Sequence, residues 1–345
     1  MSKQDNLQNP KSMTPPEALL QMLTSSWISQ AIYVAAQLGI ADLLKDGSKS
    51  SSDLAKATGS HALALYRIMR TLASVGVFAE IEDGSFELTP LAAYLQTDVP
   101  GSLRAMSIMS GESWQWQPWG NILHTVKTGN TAFDHVYGVN SVEYLTQNVE
   151  AGQIFNQAMT GMTATFKASI TDNYDFSSID KIVEVGGGQG SLITSILKGY
   201  PTLQAILFDL PSVVIGAKHL IESEGLAKRC EIVGGDFFES VPTGGDAYIL
   251  KNIIHDWDDT DTVAILKNCH SAMVENGKLL LVETVIPPRN EPSFGKVLDL
   301  EMLVMTGGCE RTEAEYRTLF EAAGFVLTKV ITTPSFLSVI EGVRV

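Results

Sequence analysis

The chain changes rhythm near residue 178. Beyond that point short apolar runs alternate with stretches of helical period, and the runs at 181–185, 204–209, 230–234, 246–251 and 278–284 read as strands. They are continuously apolar rather than alternating, which marks strands covered on both faces. The pattern therefore predicts an α/β unit built on a parallel sheet with helices on each side. The tail differs: Phe325 to Thr332 and Phe336 to Glu341 are split by Pro334 and read as a hairpin that completes the sheet with an antiparallel edge.

The first hundred or so residues follow another pattern. A helix over Ala31–Ile40, a second opening at Ser51-Ser52-Asp53, and a third from His61 to Gly76 lead into a hairpin. In the third helix Leu65, Ile68, Met69 and Leu72 share one stripe, and in the hairpin Val77–Glu80 and Phe86–Thr89 flank Asp83-Gly84. Outside that hairpin the segment is all-helical, and the order is that of a winged helix. DNA readers use this arrangement too, but the third helix offers only Arg67 and Arg70 and lacks the basic stripe that phosphates require. Dimerisation is the favoured role. Residues 101–170 read as helices rich in Met, Trp and Phe, including Met109, Phe155 and Met159, a stripe that serves either as core or as the wall of a pocket for a flat apolar guest. The expected division is 1–105 for the winged helix, 106–177 for connecting helices and 178–345 for the sheet.

The first strand of the sheet carries the most chemistry. Lys181-Ile182-Val183-Glu184-Val185 stops at Gly186-Gly187-Gly188-Gln189-Gly190-Ser191, a strand, a tight turn and a helix start. Glycine is needed where the backbone takes positive φ or a ligand comes close, and the first amides of a helix are unpaired donors. A dinucleotide fingerprint wants a third glycine where Ser191 stands. An acid just before the turn repels pyrophosphate and suits a cationic amino-acid ligand, so S-adenosylmethionine (SAM) fits better than a nucleotide, with no ligand as the remaining alternative. Two later strand ends add acids. Asp209, in Phe208-Asp209-Leu210-Pro211, is placed to take two ribose hydroxyls; Asp236, in Gly235-Asp236-Phe237-Phe238, is placed to accept from adenine while Phe237 covers the ring. Each Asp alone also reads as a cap or turn residue.

The fourth strand leads into Leu250-Lys251-Asn252-Ile253-Ile254-His255-Asp256-Trp257. Ligands of open α/β sheets collect at the carboxyl ends of strands, which makes His255 the candidate general base, an imidazole titrating near neutrality that takes a proton from a phenol or enol. A structural histidine is the alternative. Either Glu283, at the end of the fifth strand, or Glu310, in Gly308-Cys309-Glu310-Arg311-Thr312, would fix its tautomer; Glu310 also reads as a helix N-terminal acid with Thr312 as cap. The acids Asp256, Asp258, Asp259 and Asp261 do not fit a calcium loop, since Asp261 and Lys267 stand where Gly and Glu are needed; they are expected to open a helix, and no metal is expected.

Composition sharpens this reading only slightly. Lys plus Arg is 24 and Asp plus Glu is 39, a net charge of −15 that disfavours nucleic acid. Cys230, Cys269 and Cys309 form no C-x-x-C pair and are expected as reduced thiols in the cytoplasm. No apolar run reaches membrane-spanning length, and the N-terminus is polar, unlike a signal peptide.

The motifs Glu184–Gly190, Phe208–Pro211, Gly235–Phe238, Leu250–Trp257 and Gly308–Thr312, in that order, resemble those of the caffeic acid and hydroxyindole type O-methyltransferases, from about residue 15 to the end. The resemblance implies a Rossmann-like class I methyltransferase sheet behind an N-terminal winged-helix domain that forms an intertwined homodimer. It implies SAM as cofactor, held by Glu184, Gly186, Gly188, Asp209, Leu210, Gly235, Asp236, Phe237, Lys251 and Trp257, and released as S-adenosylhomocysteine (SAH). It implies His255 as base with Glu283 and Glu310 beside it, and Met109, Phe155, Met159, Asp256 and Met302 against the substrate. Glu184 stands where many plant relatives have Asp, and Cys309 where a basic residue is common. The activity implied is methyl transfer to a hydroxyl of an aromatic or polyketide-like small molecule. Two alternatives stay open: a SAM enzyme of altered outcome, such as N-methylation, decarboxylation or hydroxylation, and a non-catalytic SAM-binding regulator.

Overall fold

The structure is a computed structural model describing residues 13–345, and the chain divides between Thr97 and Asp98 into two compact units. In the N-terminal unit, helix Pro15–Gln37 opens where the Glu17 carboxylate accepts from the Thr14 N–H at 2.8 Å. It begins well before the expected Ala31. It ends where Gly39, at φ +65°, takes a left-handed conformation that favours glycine. Helix Ser51–Thr58 is capped by Ser50 and helix Ala62–Ser74 by His61. The wing is wider than a hairpin: β1 (Lys49–Ser50) joins β2 (Phe78–Ile81) and β3 (Ser85–Leu88) in the order β1-β3-β2, so strand structure is not confined to the expected hairpin. Two residues are too few to display a period of two, which is why β1 was not legible. Ile40, Leu54, Met69, Leu72, Phe78 and Phe86 fill the core, whereas Leu19, Leu20, Met22, Leu23 and Trp27 on the first helix face outward, Trp27 at 71% exposure.

The second unit holds β4 (Lys181–Val185), β5 (Gln204–Asp209), β6 (Cys230–Gly234), β7 (Ala247–Lys251), β8 (Lys278–Glu283), β9 (Phe325–Thr332) and β10 (Ser338–Arg344). Their order is β6-β5-β4-β7-β8-β10-β9. The first five run parallel, and β10 and β9 add antiparallel, as the split tail implied. The chain works outward from β4 to β5 and β6, then crosses back to β7 and β8. A crevice opens at such a reversal, beyond the carboxyl ends of the strands. Burial along β4 and β5 explains their composition: Ile182, Val183, Val185 and Leu207 have essentially no contact with solvent.

Within this unit six helices, from Arg104–Met109 to Val149–Thr171, precede the sheet. Met109, Trp114, Ala132, Phe133 and Ala158 cluster with Val304 and Met305 of helix Phe294–Met305, and Phe155 and Met159 pack against that cluster. The Met and aromatic stripe thus makes a second core beside the sheet. Among the described residues no helix is long and apolar enough to cross a membrane, and all three cysteines are unbridged.

Candidate functional site

The turn after β4 is built by positive φ at Gly186 (+70°), Gly188 (+59°) and Gly190 (+78°), and helix Ser191–Gly199 starts directly after it. Space is unequal along the turn. A Cβ on Gly186 would drive into the Ile253 side chain, whereas nothing lies within 4 Å of where one would sit on Gly188. Glu184 does not reach out of the turn. Its carboxylate is buried beneath it and accepts from the Ile193 N–H at 3.2 Å, and burial pushes its pKa up to about 8 against the pull of Lys251.

Asp209, at the end of β5, accepts from the Gly188 N–H at 2.8 Å through Oδ2 and from the Leu210 N–H at 2.7 Å through Oδ1. It therefore closes the glycine turn itself. A carboxylate oxygen carries two lone pairs, so each still has room for one more donor. Burial raises the Asp209 carboxyl above its ordinary range, and its two amide bonds work against that. Asp236, after β6, is exposed, and its Oδ1 accepts from the Phe238 N–H at 2.8 Å. Gly235 packs against the Phe208 ring, where a Cβ would come within 2.6 Å. Phe237 and Phe238 meet Trp257 edge-on, with ring centroids 6.1 and 4.7 Å away. Lys251 donates to the Asn252 side chain at 2.9 Å, and burial lowers its ammonium pKa while Glu283 and Glu184 oppose the shift.

Past β7 the chain takes a short 3-10 turn, Ile254–Asp256, that carries His255. Glu283, at the end of β8, accepts from the N–H groups of Ile253 at 3.0 Å and Ile254 at 3.1 Å through Oε1. Its Oε2 lies 3.8 Å from His255 Nδ1, while Glu310 Oε1 lies 2.7 Å from the same nitrogen. The choice between the two glutamates thus resolves into a division: Glu310 bonds the ring and Glu283 holds the turn. Asp256 stands 3.9 Å from Nε2, its side chain 35% exposed and its carboxyl raised by burial. Oε2 of Glu283 and Oε2 of Glu310 are buried without a hydrogen-bond partner.

That concentration of carboxylates changes the imidazole. Burial alone would lower its pKa, but Glu283, Asp256 and Glu310 together push it up to about 10. The ring is not the near-neutral base expected from its ordinary titration. With Nδ1–H donated to Glu310, Nε2 is the nitrogen left to exchange a proton with a guest. The His255, Glu283 and Glu310 ligand atoms also lie within 4.8 Å of one another, close enough to hold a cation as well as a proton.

Met109 and Met302 are each 7% exposed, and Phe155 and Met159 are half-buried. Sequence reasoning overlooked Glu301, the neighbour of Met302, a carboxylate whose pKa burial raises; it accepts from Trp119 Nε1–H at 2.7 Å and from the Gln115 amide. The only signal in the sequence was an acid on the Met- and Leu-rich half of helix Phe294–Met305. The acidic run after Trp257 does open a helix, Asp259–Ala272 with Asp258 as cap, and Thr312 caps Glu313–Ala322.

Residues 119–326 match the O-methyltransferase domain family, and residues 20–98 match the O-methyltransferase dimerisation domain. The phenazine O-methyltransferase PhzM of Lysobacter antibioticus is 47% identical over 323 residues, covering 94% of each chain. The crystal structure of LaPhzM superposes with a TM-score of 0.93 at 46% identity, over 96% of this chain and all of that one. The O-methyltransferase NcsB1 from neocarzinostatin biosynthesis, solved in complex with SAM and 2-hydroxy-5-methyl naphthoic acid, superposes with a TM-score of 0.80 at 30% identity over 94% of this chain and 98% of that one. The chain belongs to the SAM-dependent O-methyltransferase family, as an enzyme with SAM for its cofactor and a dimerisation domain ahead of its catalytic sheet.

Proposed function

We propose that the enzyme transfers the methyl group of SAM to a hydroxyl on a fused-ring aromatic small molecule, with His255 as the general base and no metal. The observation that carries this reading is the 2.7 Å contact of His255 Nδ1 with Glu310, which fixes one tautomer and leaves Nε2 for the acceptor. The residues present suit the cofactor. The open face of Gly188 accommodates its amino-acid end, the free lone pairs of Asp209 its ribose, and exposed Asp236 beside Phe237 its adenine. Gly186, Leu210, Gly235, Lys251 and Trp257 complete that wall in this reading, and buried Glu184 braces the turn from beneath by accepting from the Ile193 N–H. Bound SAM supplies an electrophilic methyl group.

The residues of the chain then have two tasks. In this reading Met109, Phe155 and Met159, which share one cluster, and buried Met302 hold a flat ring, and Asp256 borders it on the imidazole side. Positioning oxygen and methyl carbon in line supplies most of the rate, and proton removal adds to it. In the transfer that bound SAM would support, with SAH as the leaving product, the hydroxyl proton would pass to Nε2. The imidazolium is held by Glu310 and Glu283. A phenol ordinarily titrates near 10, so an imidazole at about 10 receives its proton with almost no penalty. An imidazole at about 6.5 would face roughly 5 kcal/mol in that transfer. A ring titrating at about 10, in turn, is protonated at neutral pH and must first be freed at a cost of roughly 4 kcal/mol, so its turnover rises toward alkaline pH.

The relatives' printed names support a fused-ring acceptor: a phenazine for one and a naphthoic acid for another. The exposed apolar face of helix Pro15–Gln37 and the match to a dimerisation domain support a homodimer. The test is a SAM-turnover screen with hydroxyphenazines, hydroxynaphthoic acids and simple phenols, read by product mass and by the site of methylation. One methyl gained on oxygen supports the reading. Methylation on nitrogen, or a different mass change, contradicts it.

A further inference from the structure

Arg311 is among the most deeply buried side chains in the protein, 1% exposed, and none of the roles above uses it. Its guanidinium does not sit on a buried acid. Nη1 donates to the carbonyl of Ile254 at 3.0 Å and of Cys309 at 3.3 Å; Nη2 donates to the carbonyl of Trp257 at 2.9 Å and to Thr262 Oγ1 at 3.4 Å; Nε donates to Asp259 Oδ1 at 2.9 Å. Asp259 is a poor electrostatic reason for that burial, because its side chain is 73% exposed. What the fork does hold is backbone. Ile254 and Trp257 are the residues on either side of His255-Asp256, so the guanidinium spans the turn from its two ends.

The residue before Arg311 is Glu310, the carboxylate on the imidazole. Around Arg311 the chain runs as a strand-like bridge with Val285, and its carbonyl accepts from Ile286 N–H at 2.9 Å. Successive side chains of an extended segment point to opposite sides. One residue therefore grips the side chain of His255 while the next grips the backbone that carries it. Gly308 completes the junction: a Cβ there would overlap the His255 carbonyl and come within 2.6 Å of the Trp257 nitrogen.

We propose that Arg311 is a positioning residue for the methyl transfer: its guanidinium locks the Ile254–Trp257 turn onto the Cys309–Glu310 segment and so sets the His255–Glu310 contact. The proposal rests on the reading of His255 as base, but its geometric core does not. A lysine keeps the charge and loses the planar fork that serves several acceptors at once. The groups facing the ring are Glu283 from β8, Glu310 from the 308–312 segment and Asp256 on its own turn. Of these, the Glu310 contact is the one that Arg311 governs.

The experiment is a ring-15N NMR titration of His255 in the SAH-bound, full-length protein, comparing wild type with Arg311→Lys and Thr262→Val, His255→Ala supplying the assignment. The expected result for Arg311→Lys is loss of the hydrogen-bonded Nδ1–H signal and a fall of about one unit or more in the imidazole pKa, with SAH affinity changed less than about threefold. Thr262→Val removes the weakest bond of the clamp together with the bond that the Thr262 hydroxyl donates to the Ile254 carbonyl at 3.3 Å, and should give a smaller shift in the same direction, which keeps the test open if Arg311→Lys does not fold. An unchanged Nδ1–H signal and pKa in either folded variant would overturn the proposal, since general destabilisation moves neither. If the signals shift as expected while His255→Ala retains full turnover, the positioning stands and the base reading is what has failed.

Discussion

The two ends of the proposed site share carboxylates that hold backbone amides but differ in what the remaining oxygens face. At the cofactor end Asp209 is bonded to two backbone amides and closes the turn it faces. At the proposed acceptor end Glu283 is also bonded to two backbone amides, but Glu283 and Glu310 each keep one buried oxygen without a hydrogen-bond partner, and both raise the pKa of a single imidazole. Rigid placement suits the first task and a strong local field the second. Binding a nucleoside needs lone pairs at fixed points, whereas taking a proton from a phenol needs a base whose charged form is unusually stable.

The largest effect expected from breaking this division comes from Gly308→Ala. Its Cβ would collide with backbone, not with a flexible side chain, so the His255 turn has to move. Overpacking of this kind typically costs about 1–3 kcal/mol, and stability by denaturant titration should fall by that order while turnover is lost. Asp209→Ala should act on the other end alone. A hydrogen bond to a charged group contributes about 1.5–3 kcal/mol, so calorimetry should show SAH affinity lowered by about 10- to 100-fold with the His255 titration unchanged.

Glu310→Gln is the finer probe, because it removes charge from the imidazole with little change in shape. His255 titrates at about 10 in the folded protein against an ordinary value near 6.5. Its stabilising contribution is therefore complete below about 6.5 and is lost as pH climbs through about 10. Melting temperature should fall across that window, and less steeply in Glu310→Gln. The rising limb of turnover against pH should move to lower pH in the variant while the maximum drops. The smallest effect expected is that of EDTA, which should leave turnover within about twofold if the cluster holds a proton; strong inhibition, restored by a divalent cation, would make it a metal site.

The same contrast governs what the chain reveals before it is folded. The cofactor end lies on consecutive stretches with strong local signals, and β4, β5 and β6 appear where their apolar runs predicted. Glycine spacing and strand-end acids are local facts. The acceptor end is assembled from segments more than fifty residues apart, Ile254–Asp256 and Glu310, so the sequence offered both glutamates as partners and could not divide their roles. The imidazole pKa could not be read either, since it depends on carboxylates gathered from three segments and on burial. Arg311 was visible only as part of a motif, because most of its partners are carbonyl groups, which no sequence displays. In the N-terminal unit, β1 was missed for being only two residues long, and the first helix was read as starting late because its outward Leu and Trp side chains give it no clear polar face.

The most direct test of the account is His255→Ala, with turnover and SAH affinity measured on the same preparation. A fall in turnover of about 10²- to 10⁴-fold with SAH affinity within about threefold of wild type is the predicted result. Turnover that survives the substitution, or affinity that collapses together with it, would contradict the assignment of the proton to this ring.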